Sequence, residues 1–161
     1  MKLPSIQWDR NSAEAPLKQL VRLVEQKQYQ DRPSIPPHAK KKPVFRENNA
    51  NELTKSIIAF FEVIGGHAER INSMGRQLIR DGKPVWVKGA GTDGTADISA
   101  TWAGRSIKIE VKATKGEKQS DKQKQYQERI EQAGGIYLIA RNMDGFIYMF
   151  FKAVEVRSNE G

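Results

Sequence analysis

Residues 96–112 read ADISATWAGRSIKIEVK. In the first half Ile98, Ala100 and Trp102 alternate with Asp97, Ser99 and Thr101. In the second, Ile107, Ile109 and Val111 alternate with Lys108, Glu110 and Lys112. An apolar residue at every second position describes a strand with one face in a core. Only Ala103-Gly104 separates the two strands, which fits a two-residue hairpin loop. That loop sets Trp102 against Arg105, Ala100 against Ile107, Ser99 against Lys108 and Asp97 against Glu110. Two carboxylates then share one face with Cβ atoms about 5 Å apart. Like charges so placed destabilise a sheet unless something positive lies between them. Lys112, two residues beyond Glu110, projects from the same face.

Two carboxylates, with the Val111 carbonyl as a further oxygen ligand, suit Mg²⁺, which keeps part of its water shell and is completed by phosphate oxygens. The plainer reading of EVK alone is a solvent-facing strand with alternating charges. Three features weigh against it. The opposite face is Ile-Ile-Val, the opposed residue is a second acid, and a glycine-rich stretch, GAGTDGT (residues 89–95), runs into Asp97. Glycine lets another group approach the backbone closely. Asp93 in that stretch is a rival acid, although Asp-Gly is also ordinary turn chemistry.

The flanking sequence supplies the rest of an α/β fold. In residues 47–66, Leu53, Ile57, Phe60, Phe61 and Ile64 fall on one helical face that Gly65-Gly66 ends. HAERINS (67–73) reads as a short strand and KPVWVK (83–88) as a second. A helix is expected from Ser120 to Ala133, closed by Gly134-Gly135. GIYLIA (135–140) is apolar enough for a strand buried on both faces. After a turn at NMDG (142–145), Phe146, Met149, Phe150 and Val154 lean towards a helix. Helix, three strands, helix, strand, helix implies a mixed sheet flanked by helices.

Before this core, residues 13–30 carry a helical stripe of Leu17, Leu20, Val21 and Val24, with Pro16 suited to a first turn. DRPSIPPHAKKKPV (31–44) reads as a stiff linker. A domain boundary is therefore placed near Arg46, between a basic extension (1–46) and the core domain (47–161). The extension has ten Lys and Arg against four Asp and Glu, the remainder 17 against 15, within a net charge of +8. Such a surplus serves either solubility or a polyanionic partner. Cysteine is absent and His38 and His67 are the only histidines, which removes disulfides, thiolate zinc sites and a Cys nucleophile. No stretch is apolar enough to span a bilayer. The N-terminus MKLPSIQWDR lacks an apolar signal core, so a cytoplasmic location is expected.

Asp97 in GTADI, twelve residues, then EVK, followed by SDKQ (120–123) and GGIYLIAR (134–141), resembles the PD-(D/E)xK nucleases. It is most similar to their VRR-NUC and Holliday-junction-resolvase-like branch, over residues 48–145. The resemblance implies a restriction-endonuclease-like αβββαβ core and Mg²⁺- or Mn²⁺-dependent hydrolysis of phosphodiester bonds. It implies Asp97 and Glu110 as metal ligands, Lys112 as the residue that positions or activates water, and Gln123 as a helix residue reaching the site. It implies that Glu52 completes the site through a metal-bound water, that the substrate is DNA, with branched, flap or junction forms in view, and that the chain pairs as a homodimer. Ala96 stands where many such nucleases have proline, and residues 1–46 fall outside the resemblance.

Each supporting residue has a structural reading too. Ser120-x-x-Gln123 is a capping box and Asn49-x-x-Glu52 another capping arrangement. Lys115, Lys118, Lys122 and Lys124 around the Ser120 helix, together with Lys40, Lys41 and Lys42, are either a solvated face or a grip on DNA backbone. Arg70 and Asn72 are candidates for substrate contact. Trp8, Trp86 and Trp102 read as packing residues. Two competing functions follow: a non-catalytic nucleic-acid-binding module on the same fold, and a structural protein whose N-terminal helix docks on a partner.

Overall fold

The ladder predicted from residues 96–112 is the one the chain forms. In a computed structural model describing residues 6–71, 76–87 and 92–158, Ile98 pairs with Ile109, Ser99 with Lys108, Ala100 with Ile107 and Trp102 with Arg105. Ala103 and Gly104 have φ of +47° and +75°, the two positive values of a type I′ turn. Its twist matches that of the strands, which outweighs the roughly 1 kcal/mol that alanine loses in this region. Asn72 and the side chain of Trp86 lie outside the described residues.

In chain order the elements are α1 (Pro16–Asp31), a single 3₁₀ turn (Pro37–Ala39), α2 (Ala50–Val63), β1 (His67–Arg70), β2 (Arg76–Arg80) and β3 (Lys83–Val87). There follow β4 (Ile98–Trp102), β5 (Arg105–Val111), α3 (Asp121–Gln132), β6 (Ile136–Ala140) and α4 (Met143–Ser158). A mixed sheet has the order β1-β4-β5-β6. Its first two pairings are antiparallel, and α3 is the crossover that makes β5 and β6 parallel.

The apolar face carries Ile98, Ala100, Ile107, Ile109, Ile136, Leu138 and Ala140, all buried, and α2 and α4 pack on it. Phe60 of α2 is the hub. Its ring lies edge-on to Trp8, Phe61, Phe146 and Phe150 at 4.9–5.6 Å between centroids. Such contacts add to the large area each ring removes from water. The opposite face carries Ser99, Lys108, Glu110 and Tyr137 and receives α3, where Tyr126 meets Tyr137 at 6.2 Å. This polar face is the one that bears the candidate site.

Several details differ from the sequence reading. Residues 76–80 form a strand that no periodicity announced, and KPVWVK pairs with it rather than entering the main sheet. The two make a separate ribbon turned by Asp81-Gly82, at φ of +50° and +71°. NMDG is the cap and first turn of α4, because Asn142 Oδ1 accepts from the Gly145 amide at 2.8 Å. Within HAERINS, His67–Arg70 form β1, and Asn72 and Ser73 lie outside the described residues. α1 starts at Pro16, and its innermost side chains are Leu20 and Leu23 rather than Val21. Leu20 and Leu23 belong to the same apolar cluster as Phe60, so the segment before Arg46 shares the core of the domain. Buried Gln19 fastens the chain ahead of α1, its Oε1 accepting from Asp9 N at 2.8 Å and its Nε2 donating to Asp9 O at 3.1 Å. Among the described residues no helix is long and apolar enough to cross a membrane.

Candidate active site

Asp97 ends the Gly-rich loop one step beyond the Ile98–Ile109 pair. Its carbonyl accepts from Ile71 N at 2.8 Å, and its Oδ2 accepts from Val111 N at 2.9 Å. The neighbouring strand presents Glu110, only 2% exposed, and Lys112, 7% exposed. Lys112 Nζ lies 3.0 Å from Glu110 Oε1, and Gln123 Nε2 donates to the same oxygen at 2.5 Å. A second acid, Glu117, places its Oε1 3.7 Å from Lys112 Nζ. Both donors therefore crowd one oxygen of Glu110, and its Oε2 is buried without a hydrogen-bond partner. An unmet buried carboxylate oxygen is costly and calls for a physical reason, as do Glu52 Oε2 and the Tyr137 hydroxyl, which are buried in the same state.

Burial, and then the nearby Asp97 carboxylate, push Glu110 above the ordinary carboxylate pKa of 4.5, while Lys112 opposes the shift. The native chain thus keeps this proton at a pH where the unfolded chain has lost it. Its stabilising contribution is full below 4.5 and is lost as pH rises through the raised value. We expect carboxyl NMR of the metal-free protein to show Glu110 titrating above 4.5, and Mg²⁺ to draw the midpoint down. A midpoint that ignores Mg²⁺ would count against cation binding at Glu110.

Both readings of Ser120-x-x-Gln123 hold together. Ser120 Oγ accepts from Gln123 N, Gln123 Oε1 accepts from Ser120 N at 2.9 Å, and the amide nitrogen of the same side chain reaches Glu110. The capping box thereby fixes the rotamer that holds the carboxylate. Within the Gly-rich stretch, Gly94 is the residue that α3 approaches closely. A Cβ on Gly94 would lie 2.4 Å from the Lys122 carbonyl carbon and oxygen and 2.8 Å from Gln123 N, at φ +80°. Asp93 is bound to the same helix turn, its Oδ2 2.6 Å from Lys122 Nζ, and does not take the place of Asp97. Gly94→Ala is accordingly expected to cost about 2–3 kcal/mol, from strain and backbone overlap. Calorimetry should show a fall of roughly 4–12 °C in Tm. An unchanged Tm would mean that the loop does not rest on α3.

Other expected site residues are dispersed. Asn49 caps α2 as expected, its Oδ1 accepting from the Glu52 amide at 3.0 Å, and Glu52 Oε1 is 3.8 Å from Arg46. Among the described residues no three His, Cys, Asp or Glu side chains gather as a metal-holding group, and Glu52 Oε2, like Glu110 Oε2, is buried without a hydrogen-bond partner. Arg70 pairs with Ile98 and so lies on the α2 side of the sheet, where it donates to Asn51 Oδ1 at 2.9 Å. Lys40 folds back on α1, donating to Gln28 O at 3.2 Å and lying 4.1 Å from the Tyr29 ring centre. Lys124 lies 3.3 Å from Asp121. Lys41, Lys42, Lys115 and Lys118 are exposed.

Two neighbours of the site were not singled out from the sequence. Lys108 stands two residues before Glu110 and donates to Ser99 Oγ at 2.6 Å. Tyr137 is 7% exposed on the same face, with its phenol held neutral by burial and then by Glu110. Lys108 was visible in the alternation of RSIKIEVK, whereas Tyr137 hides inside an apolar run. Comparison with protein-family models, with curated proteins and with solved structures finds no match for this chain.

Proposed function

We propose that the chain is a metal-dependent nuclease of the PD-(D/E)xK kind that hydrolyses DNA phosphodiester bonds. One observation carries the reading: a buried Glu110 has one oxygen held by Lys112 and Gln123 and the other unpartnered, beside Asp97 on the adjoining strand. The element order α2-β1-β4-β5-α3-β6, with a parallel final pair, supports a restriction-endonuclease-like arrangement.

The donor set fits a hard divalent cation, since two carboxylates suffice for Mg²⁺ when water and phosphate oxygens fill the remaining positions. Asp97 and Glu110 would hold it, with the Val111 carbonyl as the further oxygen, and when bound it supplies Lewis acidity and a more acidic water. The chain's own residues do the rest. The Val111 amide holds the Asp97 carboxylate in place. Gln123 locks Glu110. Lys112, a buried cation beside Glu110, orients the attacking water and offsets charge that develops on the phosphate. No covalent intermediate on the protein is needed.

The test is cleavage of matched single-stranded, duplex, flap and four-way-junction DNA with Mg²⁺ or Mn²⁺ and with chelator. Divalent-dependent cleavage is expected. Binding of all four without cleavage in either metal would leave the non-catalytic binding module as the better description.

A further inference from the structure

The β2–β3 ribbon is the part of the chain that the candidate site does not use. The main sheet ends on this side at Ile71, whose amide bonds to the Asp97 carbonyl, and the chain returns to the sheet at Asp97. The ribbon therefore springs from the edge of the site. Among the described residues its strands pair only with each other. A lone two-stranded hairpin is marginal in water and gains from a surface to lie on. Arg80 and Lys83 face each other directly across the turn, both exposed. Like charges so opposed are destabilising, and neither has an ion-pair partner among the described residues. Beside them Ile79 is 79% exposed and Val85 39%.

We propose that this ribbon seats in the major groove of duplex DNA next to the site, with Arg80 and Lys83 on the phosphates of the groove walls. The proposal rests on the DNA-binding part of the function proposed above and not on its chemistry. A major groove of about 12 Å admits a two-stranded ribbon. Five residues per strand give a reach of about 17 Å, enough to enter a groove roughly 8.5 Å deep. The opposed cations, costly in isolation, become favourable against phosphate. The apolar Ile79 is of a kind that meets thymine methyl groups at base edges.

The experiment measures binding of the full chain to a labelled 20-base-pair duplex and to a single strand of equal length, in chelator, across a salt series. The double variant Arg80→Gln/Lys83→Gln removes the repulsion at the turn and should fold at least as well as the parent. Its log–log salt slope on duplex is expected to be shallower by about 2, since each phosphate contact contributes about 0.9. Asp81→Asn, which keeps a turn residue suited to positive φ, should bind the duplex more tightly. Unchanged affinity and slope in the double variant would overturn the proposal, and so would an equal loss on the single strand. A parent chain that binds no duplex overturns it as well. Failure of Mg²⁺-dependent cleavage alongside the expected change in slope would instead sink the catalytic reading and leave the ribbon assignment standing.

Discussion

Asp97→Asn and Glu110→Gln are each expected to lower divalent-dependent cleavage by about 10³-fold or more while DNA binding persists. Both substitutions preserve shape and remove the negative charge that a hard cation requires. Loss of the electrostatic stabilisation such a site supplies is typically worth about 10²–10³ in rate per donor. Losing the ion itself costs at least as much, or about 4 kcal/mol of barrier at roughly 1.4 kcal/mol per decade. The two variants differ in stability. Asn at 97 can still accept from the Val111 amide and relieves repulsion with Glu110, so its Tm should stay near the parent value. Gln at 110 leaves buried Lys112 with Glu117, at 3.7 Å, as its one ion-pair partner among the described residues, so a lower Tm is expected there. Binding should survive in both, because the exposed cations lie outside the acid pair. Cleavage that persists in both variants would place the chemistry elsewhere.

Phe60→Ala is expected to cost about 3–5 kcal/mol, a large share of the stability of a single domain. Phe60 is fully buried and its ring contacts residues from the N-terminal segment, α2 and α4. Truncation would leave a cavity that these neighbours cannot fill without shifting together. For a chain of this size the loss corresponds to roughly 6–20 °C in Tm. Ile79→Ala on the exposed ribbon serves as the comparison and should stay within about 0.5 kcal/mol. Urea unfolding measures both. A cost near that of Ile79→Ala would mean that α1, α2 and α4 do not share one core.

Much of the site was legible from spacing. Period-two alternation in residues 96–112, joined by a loop of fixed length, leaves one register, because a slip of one residue would turn Ile107, Ile109 and Val111 outward. The pairing of Asp97 with Glu110 and the direction of Lys112 follow from it. Ser120-x-x-Gln123 was legible for a similar reason: a capping box fixes its partners within one helical turn. Glu52 and Arg70 were not, since their positions depend on how α2 and the end of β1 meet the sheet. Each sits on the side where Arg46 and Asn51 engage it.

By itself the sequence determined the four strands of the main sheet, the helices beside them and the convergence of two acids with a lysine, because hydrophobic period and loop length act over short distances. Tertiary structure alone decided three things. It placed α1 in the central core through Leu20 and Leu23, set the glycine loop against the backbone of α3, and held β2 and β3 apart from the main sheet. Each depends on surfaces distant in sequence, and which pair of faces buries the most apolar area is settled only when all elements pack at once.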